Sequence, residues 1–225
     1  MTFEVFKNTH VIVNGTLVTD GTVYLQLNAT VKAAEGLNVT TNVADHKVVY
    51  EGGVYKVVEK VYIARTETGA KFETLQEAVN AGTTVTLLDH ATGAGVVINQ
   101  DVTIDFNDKT YTVNQAVGSA GTETLGFQIL KNNTVTLMNG TLTSTTPVVS
   151  GKDVKMLIQN YANLTLTDMN LVDNTDHILY ALSNNSGTSN IEGATNITTD
   201  EVAFDVYDYT AGGYAVPTVN VNTTG

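Results

Sequence analysis

Short runs of alternating apolar and polar residues fill the first part of the chain. Such alternation predicts β-strands, because successive side chains of a strand point to opposite faces of a sheet. The pattern occurs at Val11–Val13, Thr22–Leu27, Lys47–Tyr50 and Val54–Val58. Gly52-Gly53 predicts a hairpin, and Asn14-Gly15 and Asp20-Gly21 predict two further turns. Residues 1–65 are therefore interpreted as a small β-rich N-terminal module.

One amphipathic helix is predicted over residues 72–82. Its apolar residues recur at helical spacing, and Gly82 stands where helices commonly end. A helix of about ten residues is unstable alone in water, so its apolar stripe must pack on the structure that follows. The stripe consists of Phe72, Leu75, Ala78 and Val79.

The chain repeats itself after Thr83. Three similar tripeptides lie 33 and 29 residues apart: Val102-Thr103-Ile104, Val135-Thr136-Leu137 and Leu164-Thr165-Leu166. Repeats of 20 to 50 residues are typical of stacked architectures. Because side chains alternate along a strand, the apolar residues of each tripeptide are expected inside and its threonine outside.

Further apolar positions extend the repeat. Phe127 and Ile129 precede the second tripeptide at the offsets at which Met156 and Ile158 precede the third. We therefore expect Phe127 to stack on Met156, and Ile129 on Ile158. Leu142 and Leu171 follow the same two tripeptides at equal offsets. Three short strands per repeat, joined by corners such as Asn139-Gly140, predict a parallel β-helix.

The segments Ala70–Asp89 and Val97–Tyr111 resemble the opening of right-handed parallel β-helix domains of the pectin-lyase-like superfamily. In that group a helix such as Thr74-Leu-Gln-Glu-Ala-Val79 caps the first coil. The resemblance spans roughly residues 65–175 and implies an all-β chain, with a short capped β-helix over residues 66–225. The group includes polysaccharide lyases, glycosidases, bacterial surface proteins and phage tailspikes and fibres, so the resemblance concerns architecture more than activity.

The amino-acid composition excludes several kinds of site and disfavours several classes of partner. The chain has no cysteine, which excludes disulfides, thiolate metal sites and cysteine nucleophiles. Lys and Arg number 11 against 23 Asp and Glu, and the net charge of -12 disfavours nucleic acid as a partner. No apolar run approaches the roughly 18 residues of a membrane span, and no signal peptide is recognisable. Synthesis in the cytoplasm and no membrane partner are expected.

Candidate catalytic groups are few. Enzymes of the resembled group use Arg or Lys with Ca²⁺-binding aspartates, or clustered carboxylates, whereas this chain has a single arginine, Arg65. Asp105, Met138 and Thr167 hold equivalent positions after the three tripeptides, so no carboxylate column is predicted. The nearest acidic cluster could bind Ca²⁺, hold an acid/base pair or be a solvated corner. It consists of Asp168, Asp173, Asp176 and His177. We predict no catalytic residue, metal or cofactor.

Three tyrosines crowd the last stretch of the chain beside Gly212-Gly213. Tyr207, Tyr209 and Tyr214 are candidate contacts for a protein interface or for a glycan, because tyrosine combines an apolar ring with a polar hydroxyl. The alternative is that they simply close the end of the predicted β-helix.

A β-helix capped at one end exposes strand edges at the other, and proteins normally cover such edges. Self-association, with a trimer favoured over a dimer as in the phage fibres that the fold resembles, would cover them. We therefore predict a non-enzymatic virion component: a bacteriophage head fibre or decoration protein on the capsid surface. Residues 1–65 would bind the capsid or another virion protein, and a host-surface glycan is a possible partner. The alternatives are a tailspike-like protein that degrades or binds polysaccharide, and a fragment of a bacterial adhesin.

Overall fold

A computed structural model describes residues 3–13, 21–121, 123–145, 153–173 and 177–224. The chain forms two compact units, residues 1–61 and 62–225, and is mostly β-structure. The sequence placed the boundary after residue 65. Ala64–Thr66 belongs to the second unit because it pairs with the strand Thr84–Leu87 there. The predicted turns at Asn14-Gly15 and at Asp20 lie outside the described residues.

The described part of the first unit contains seven strands. They are β1 (Phe3–Val5), β2 (His10–Ile12), β3 (Val23–Leu25), β4 (Thr30–Lys32), β5 (Val39–Thr40), β6 (His46–Glu51) and β7 (Val54–Glu59). Their sheets have the orders β1-β3-β5 and β2-β4-β7-β6. The antiparallel pair β6 and β7 confirms the hairpin at Gly52-Gly53.

The first unit also contains a short repeat that the sequence analysis missed. β1 lies parallel on β3 and β2 lies parallel on β4, in both cases with partners 20 residues apart. Asn8 and Asn28 occupy equivalent left-handed corners, with φ of 59° and 61°, and the Asn28 amide donates to Asn8 Oδ1 at 3.1 Å. Two copies of a repeat with so few apolar residues leave little periodic signal in the sequence.

The described part of the second unit contains fifteen strands and one α-helix. They are β8 (Ala64–Thr66), β9 (Lys71–Phe72), α1 (Leu75–Ala81), β10 (Thr84–Leu87), β11 (Ala91–Ala94), β12 (Val96–Ile98), β13 (Val102–Gln115), β14 (Leu125–Ile129), β15 (Thr134–Ser144), β16 (Met156–Asn160), β17 (Asn163–Val172), β18 (Tyr180–Asn185), β19 (Thr188–Gly193), β20 (Asn196–Thr198), β21 (Val202–Tyr207) and β22 (Thr218–Thr223).

Two sheets enclose one apolar core in this unit. The larger has the order β22-β19-β17-β15-β13-β10-β8-β9, with β11 beside β13 and β20 beside β17. Its pairs are parallel except those of β8 with β10 and β9. The smaller sheet, in the order β12-β14-β16-β18-β21, is parallel throughout.

The three tripeptides of the repeat stack as predicted. Val102 pairs with Val135 and Val135 with Leu164, and the middle threonines pair in the same register. The flanking apolar residues are buried, whereas the threonines are half-buried on the outer face. Leu142 also pairs with Leu171, as predicted. The long-range repeat in the sequence therefore sets the register of the larger sheet.

The predicted register of the smaller sheet is wrong by two residues. Phe127 pairs with Ile158 rather than with Met156, and Ile129 pairs with Asn160 rather than with Ile158. Asn160 is fully buried and occupies an interior position. A match of apolar residues alone cannot find this register, because a polar residue replaces an apolar one inside the sheet.

The helix begins later than predicted. Thr74 caps it: Thr74 Oγ1 accepts a hydrogen bond from the Glu77 N–H at 3.2 Å, and Glu77 accepts one from the Thr74 N–H. Phe72 lies in β9 instead, although it still packs on the core. Gly82 ends the helix with an extended φ of -147°, so left-handed geometry is not its role. A Cβ there would lie 2.6 Å from Thr66 Cγ2, so close packing demands glycine.

No helix in the described ranges is long and apolar enough to cross a lipid bilayer.

Tyr111 gives the second unit a predicted alkaline sensitivity. Burial raises the pKa of its hydroxyl above the ordinary value of 10, and the hydroxyl donates to Ala94 O at 2.6 Å. Above pH 10 the unfolded chain loses this proton while the folded chain keeps it. The free energy of unfolding should therefore fall as pH rises, by at most about 1.4 kcal/mol per pH unit for this group. Urea denaturation at pH 8 and pH 11 should show a smaller fall for Tyr111→Phe than for the wild type, and equal falls would contradict the assignment.

Candidate functional site

The outer face of the smaller sheet carries a continuous polar row. Gln128, Gln159, Ser183 and Asp205 are paired in successive strands, so their side chains follow one another along the stack. The Gln128 amide donates to Gln159 Oε1 at 3.2 Å. Asp205 Oδ1 is buried and has no hydrogen-bond partner within the described residues. Ser183 is only 1% exposed, so the accessible part of the row is the pair of glutamines, Gln128 and Gln159.

A second row, two residues further along the strands, carries aromatic side chains. Tyr161 directly follows β16, and Asn185 pairs with Tyr207 in the next two strands of the stack. Parallel stacking therefore brings Tyr161 to the end of the chain where the predicted tyrosines lie. Its ring centroid is 6.0 Å from that of Tyr209 and 5.4 Å from that of Tyr214.

The three tyrosines singled out from the sequence lie together. The ring centroids of Tyr207 and Tyr209 are 4.6 Å apart, and those of Tyr209 and Tyr214 are 6.1 Å apart. The sequence analysis missed Tyr161, which completes the cluster. Its outward position just after a stacked strand, beside the interior Asn160, would have identified it had the register of the smaller sheet been correct.

Local hydrogen bonds position the C-terminal tyrosines. Ser186, in a left-handed conformation with φ of 57°, accepts a hydrogen bond from the Tyr209 N–H through Oγ. Asp208 Oδ1 accepts from the Thr210 N–H at 2.7 Å and opens a single 3-10 turn over Thr210–Gly212. The hydrogen bonds from Thr210 hold the pKa of Asp208 below its usual value. The turn directs the chain back so that Tyr214 packs against Tyr161.

Three adjoining cavities line this face, with volumes of about 240, 440 and 230 Å³. All three are lined by Tyr161. The first two also share Lys131, Asn132 and Tyr214, and the last two share Gln128 and Ser119. We call this elongated depression the tyrosine groove: the cavities bordered by Tyr161 and Tyr214 that extend over Lys131, Asn132, Gln128 and Gln159.

The tyrosine groove is almost neutral. Among the described residues that line the three cavities, Lys131 is the only charged one, and its Nζ lies 4.8 Å from the centre of the Tyr214 ring. Burial raises the pKa of Tyr161, and the neighbouring Tyr209 and Tyr214 act in the same direction. The Tyr161 hydroxyl therefore stays protonated at neutral pH and can both donate and accept a hydrogen bond.

The interior of the second unit is exposed at its last strands. Phe127, Ile158 and Leu182 stack in one interior column and are fully buried, whereas Phe204, which continues the column, is 39% exposed. Val221 continues the interior column of the larger sheet and is 51% exposed. We call this surface the open end, defined by Phe204, Val206 and Val221.

The side chains of the acidic cluster proposed from the sequence contact different partners. Asp168 sits in a left-handed corner and accepts from the Ala194 N–H at 2.8 Å, while Asp173 accepts from Thr199 Oγ1 at 3.0 Å. His177 lies 3.4 Å from Asp153 Oδ2, and Asp176 is outside the described residues. Within the described ranges, no group of three or more His, Asp or Glu side chains is arranged to hold a metal ion.

Comparison of the chain with protein-family models, with curated proteins and with solved structures gave no match.

Proposed function

We propose that this chain is a structural component of a virion surface, a bacteriophage head fibre or decoration protein that assembles as a trimer and meets the host. Residues 1–65 would attach it to the capsid or to another virion protein. Residues 66–225 would form a short right-handed parallel β-helix capped by α1. The observation that carries the proposal is the open end, where apolar interior columns reach the surface.

The β-helix proposal is supported by how the two sheets of the second unit are built. Consecutive strands return to both sheets in the same direction, and equivalent side chains lie on successive rungs about 4.8 Å apart. The capped helix α1 packs near the first rungs, where Leu75, Ala78 and Val79 are buried. The position of α1 supports its proposed role as the cap of the first coil.

Self-association is supported by the cost of leaving the open end in water. A large apolar side chain gains about 1.5–3 kcal/mol when it is fully buried, and Phe204, Val206 and Val221 all retain much of that exposed area. The strands β21 and β22 also lie at the edges of their sheets within the described residues, so they offer unpaired backbone groups. Contacts between three copies would bury both the side chains and the strand edges.

A structural role is favoured over hydrolysis of polysaccharide. Glycosidases place two carboxylates about 5–9.5 Å apart around the scissile bond. Within the part of the chain that the structure describes, no Asp or Glu lines the tyrosine groove, and Asp168 and Asp173 each accept a hydrogen bond. The groove is suited to binding rather than to acid/base chemistry.

The molar mass of the purified chain in solution tests the proposal. Light scattering should give three times 23.9 kDa for the wild type. Phe204→Asp and Val221→Asp should each reduce the mass to that of a monomer at the same concentration. Trimer formation would bury the new carboxylate without a cation to pair with it, and burial of an unpaired charge is costly. Val61→Asp, at a residue of the first unit that is 73% exposed and is not part of the open end, is the matched control and should leave the trimer intact. A monomeric wild type would overturn the proposal.

A further inference from the structure

We infer that the tyrosine groove binds a neutral oligosaccharide, with several sugar rings lying along the direction in which the strands stack. The inference rests on the attachment role proposed above and names its ligand class. It does not depend on trimer formation, because the groove is built from residues of one chain.

The aromatic side chains supply the apolar part of the site. Sugar rings present faces of C–H groups, and a tyrosine ring offers a flat apolar surface with a polar hydroxyl at its edge. Tyr161 and Tyr214 border the groove and are half-buried, and Tyr209, which packs against both, is 40% exposed. Contacts among the tyrosines hold the rings in place, so little side-chain freedom remains to be lost on binding.

The polar side chains match the hydroxyl groups of a sugar. Gln128, Gln159 and Asn132 carry amides, each of which both donates and accepts hydrogen bonds, as sugar hydroxyls do. A ligand of this chemistry would form hydrogen bonds with these amides.

The shape of the groove favours an extended ligand. Each cavity shares lining residues with the next one, so the three form one depression along the stacked strands rather than separate pockets. Equivalent side chains recur every rung, at about 4.8 Å. A linear oligosaccharide, which is itself a repeat of similar rings, can place successive sugars on successive rungs.

Other ligand classes fit less well. A peptide that adds a strand to a sheet needs unpaired backbone groups, but β14, β16 and β18 are already paired on both sides. A polyanion, such as a nucleic acid or a sulfated glycan, would meet one cation, Lys131, on a chain of net charge -12. A neutral saccharide meets neither obstacle.

The test measures binding of defined saccharides to the complete chain. The probes are the neutral hexasaccharides of cellulose, chitin, starch, mannan and xylan, with a heparin oligosaccharide as the polyanion, followed by saturation-transfer NMR and calorimetry. We expect at least one neutral hexasaccharide to bind and heparin not to bind. Tyr161→Ala should weaken that binding about tenfold or more, whereas Tyr161→Phe, which keeps the ring, should change it less than about threefold.

A second variant guards against a loss of folding. If Tyr161→Ala lowers the melting temperature, Tyr214→Ala, at the rim of the groove, should still weaken binding about tenfold in a folded chain. The inference is overturned if none of the neutral hexasaccharides binds, if heparin binds in their place, or if both alanine variants bind as the wild type does. The molar mass of the same samples reports on the trimer separately, so failure of the two proposals can be told apart.

Discussion

Replacement of Asn160 by alanine should lower the free energy of unfolding of the second unit by about 3–5 kcal/mol. The Asn160 side chain is fully buried between the two sheets. Its amide nitrogen donates to Asn184 Oδ1 and Ser189 Oγ, both at 3.0 Å, and its oxygen accepts from the Ala162 N–H at 2.9 Å. Alanine would remove these bonds, leave the buried Ala162 N–H unsatisfied and open a cavity, although Ser189 Oγ still donates to Asn184 Oδ1 at 2.8 Å. An unsatisfied buried group costs about 1–3 kcal/mol, and the cavity adds to this cost.

The interior network has a matched counterpart on the surface. Asn220 donates to Asn190 Oδ1 at 2.8 Å on the outer face, where water replaces a lost bond. Asn220→Ala should therefore cost less than about 1 kcal/mol. Because the chain has two units, the comparison requires native-state hydrogen exchange of amides in β15 and β17, which report on the second unit alone. Equal losses for the two variants would contradict the interior role of Asn160.

Phe127→Ala should lower the free energy of unfolding of the second unit by about 3–5 kcal/mol, about as much as Asn160→Ala. The Phe127 ring is completely buried, and its centroid lies 6.4 Å from that of Phe106 and 6.0 Å from that of Tyr111. Phe127 belongs to the smaller sheet, whereas Phe106 and Tyr111 belong to the larger one. Truncation would remove an aromatic contact between the two sheets and leave a cavity that neighbouring strands cannot fill without breaking their register.

Two further variants calibrate this measurement by the same hydrogen-exchange method. Phe127→Leu keeps most of the side-chain volume. Its loss of unfolding free energy should be smaller than that of Phe127→Ala by about 1–3 kcal/mol. Val216→Ala removes apolar atoms from a residue that is 72% exposed and should change stability by less than about 0.5 kcal/mol. A loss below about 1 kcal/mol for Phe127→Ala would mean that the two sheets do not depend on this contact.

Much of the second unit could be predicted from the sequence because its order is periodic. Val102, Val135 and Leu164 recur at similar spacing, and the structure stacks them in one column. The smaller sheet was misjudged because its interior is not uniformly apolar. Asn160 and Asn184 are buried there through hydrogen bonds to each other and to corner backbone groups, a condition that no apolar pattern records.

The candidate site shows the same division. Tyr207, Tyr209 and Tyr214 attracted attention because they are close in the sequence, whereas Tyr161 and Lys131 lie far from them along the chain. Parallel stacking brings Tyr161, which follows β16, and Lys131, which follows β14, to the face where Tyr214 lies. Sequence proximity therefore found one residue of the tyrosine groove, Tyr214, and only the register of the strands revealed the rest.

The sequence by itself determined the strand-rich composition, the hairpin at Gly52-Gly53, the amphipathic helix and the repeat of the larger sheet. These features depend on alternation and spacing along the chain, which local side-chain geometry translates directly into strands and turns. Only the tertiary structure decided the register around Asn160, the proximity of Lys131 and Tyr161 to Tyr214, and the exposure of Phe204 at the open end. Each depends on which strands lie next to one another and in which register, and that is settled by packing and by hydrogen bonds between residues distant in sequence.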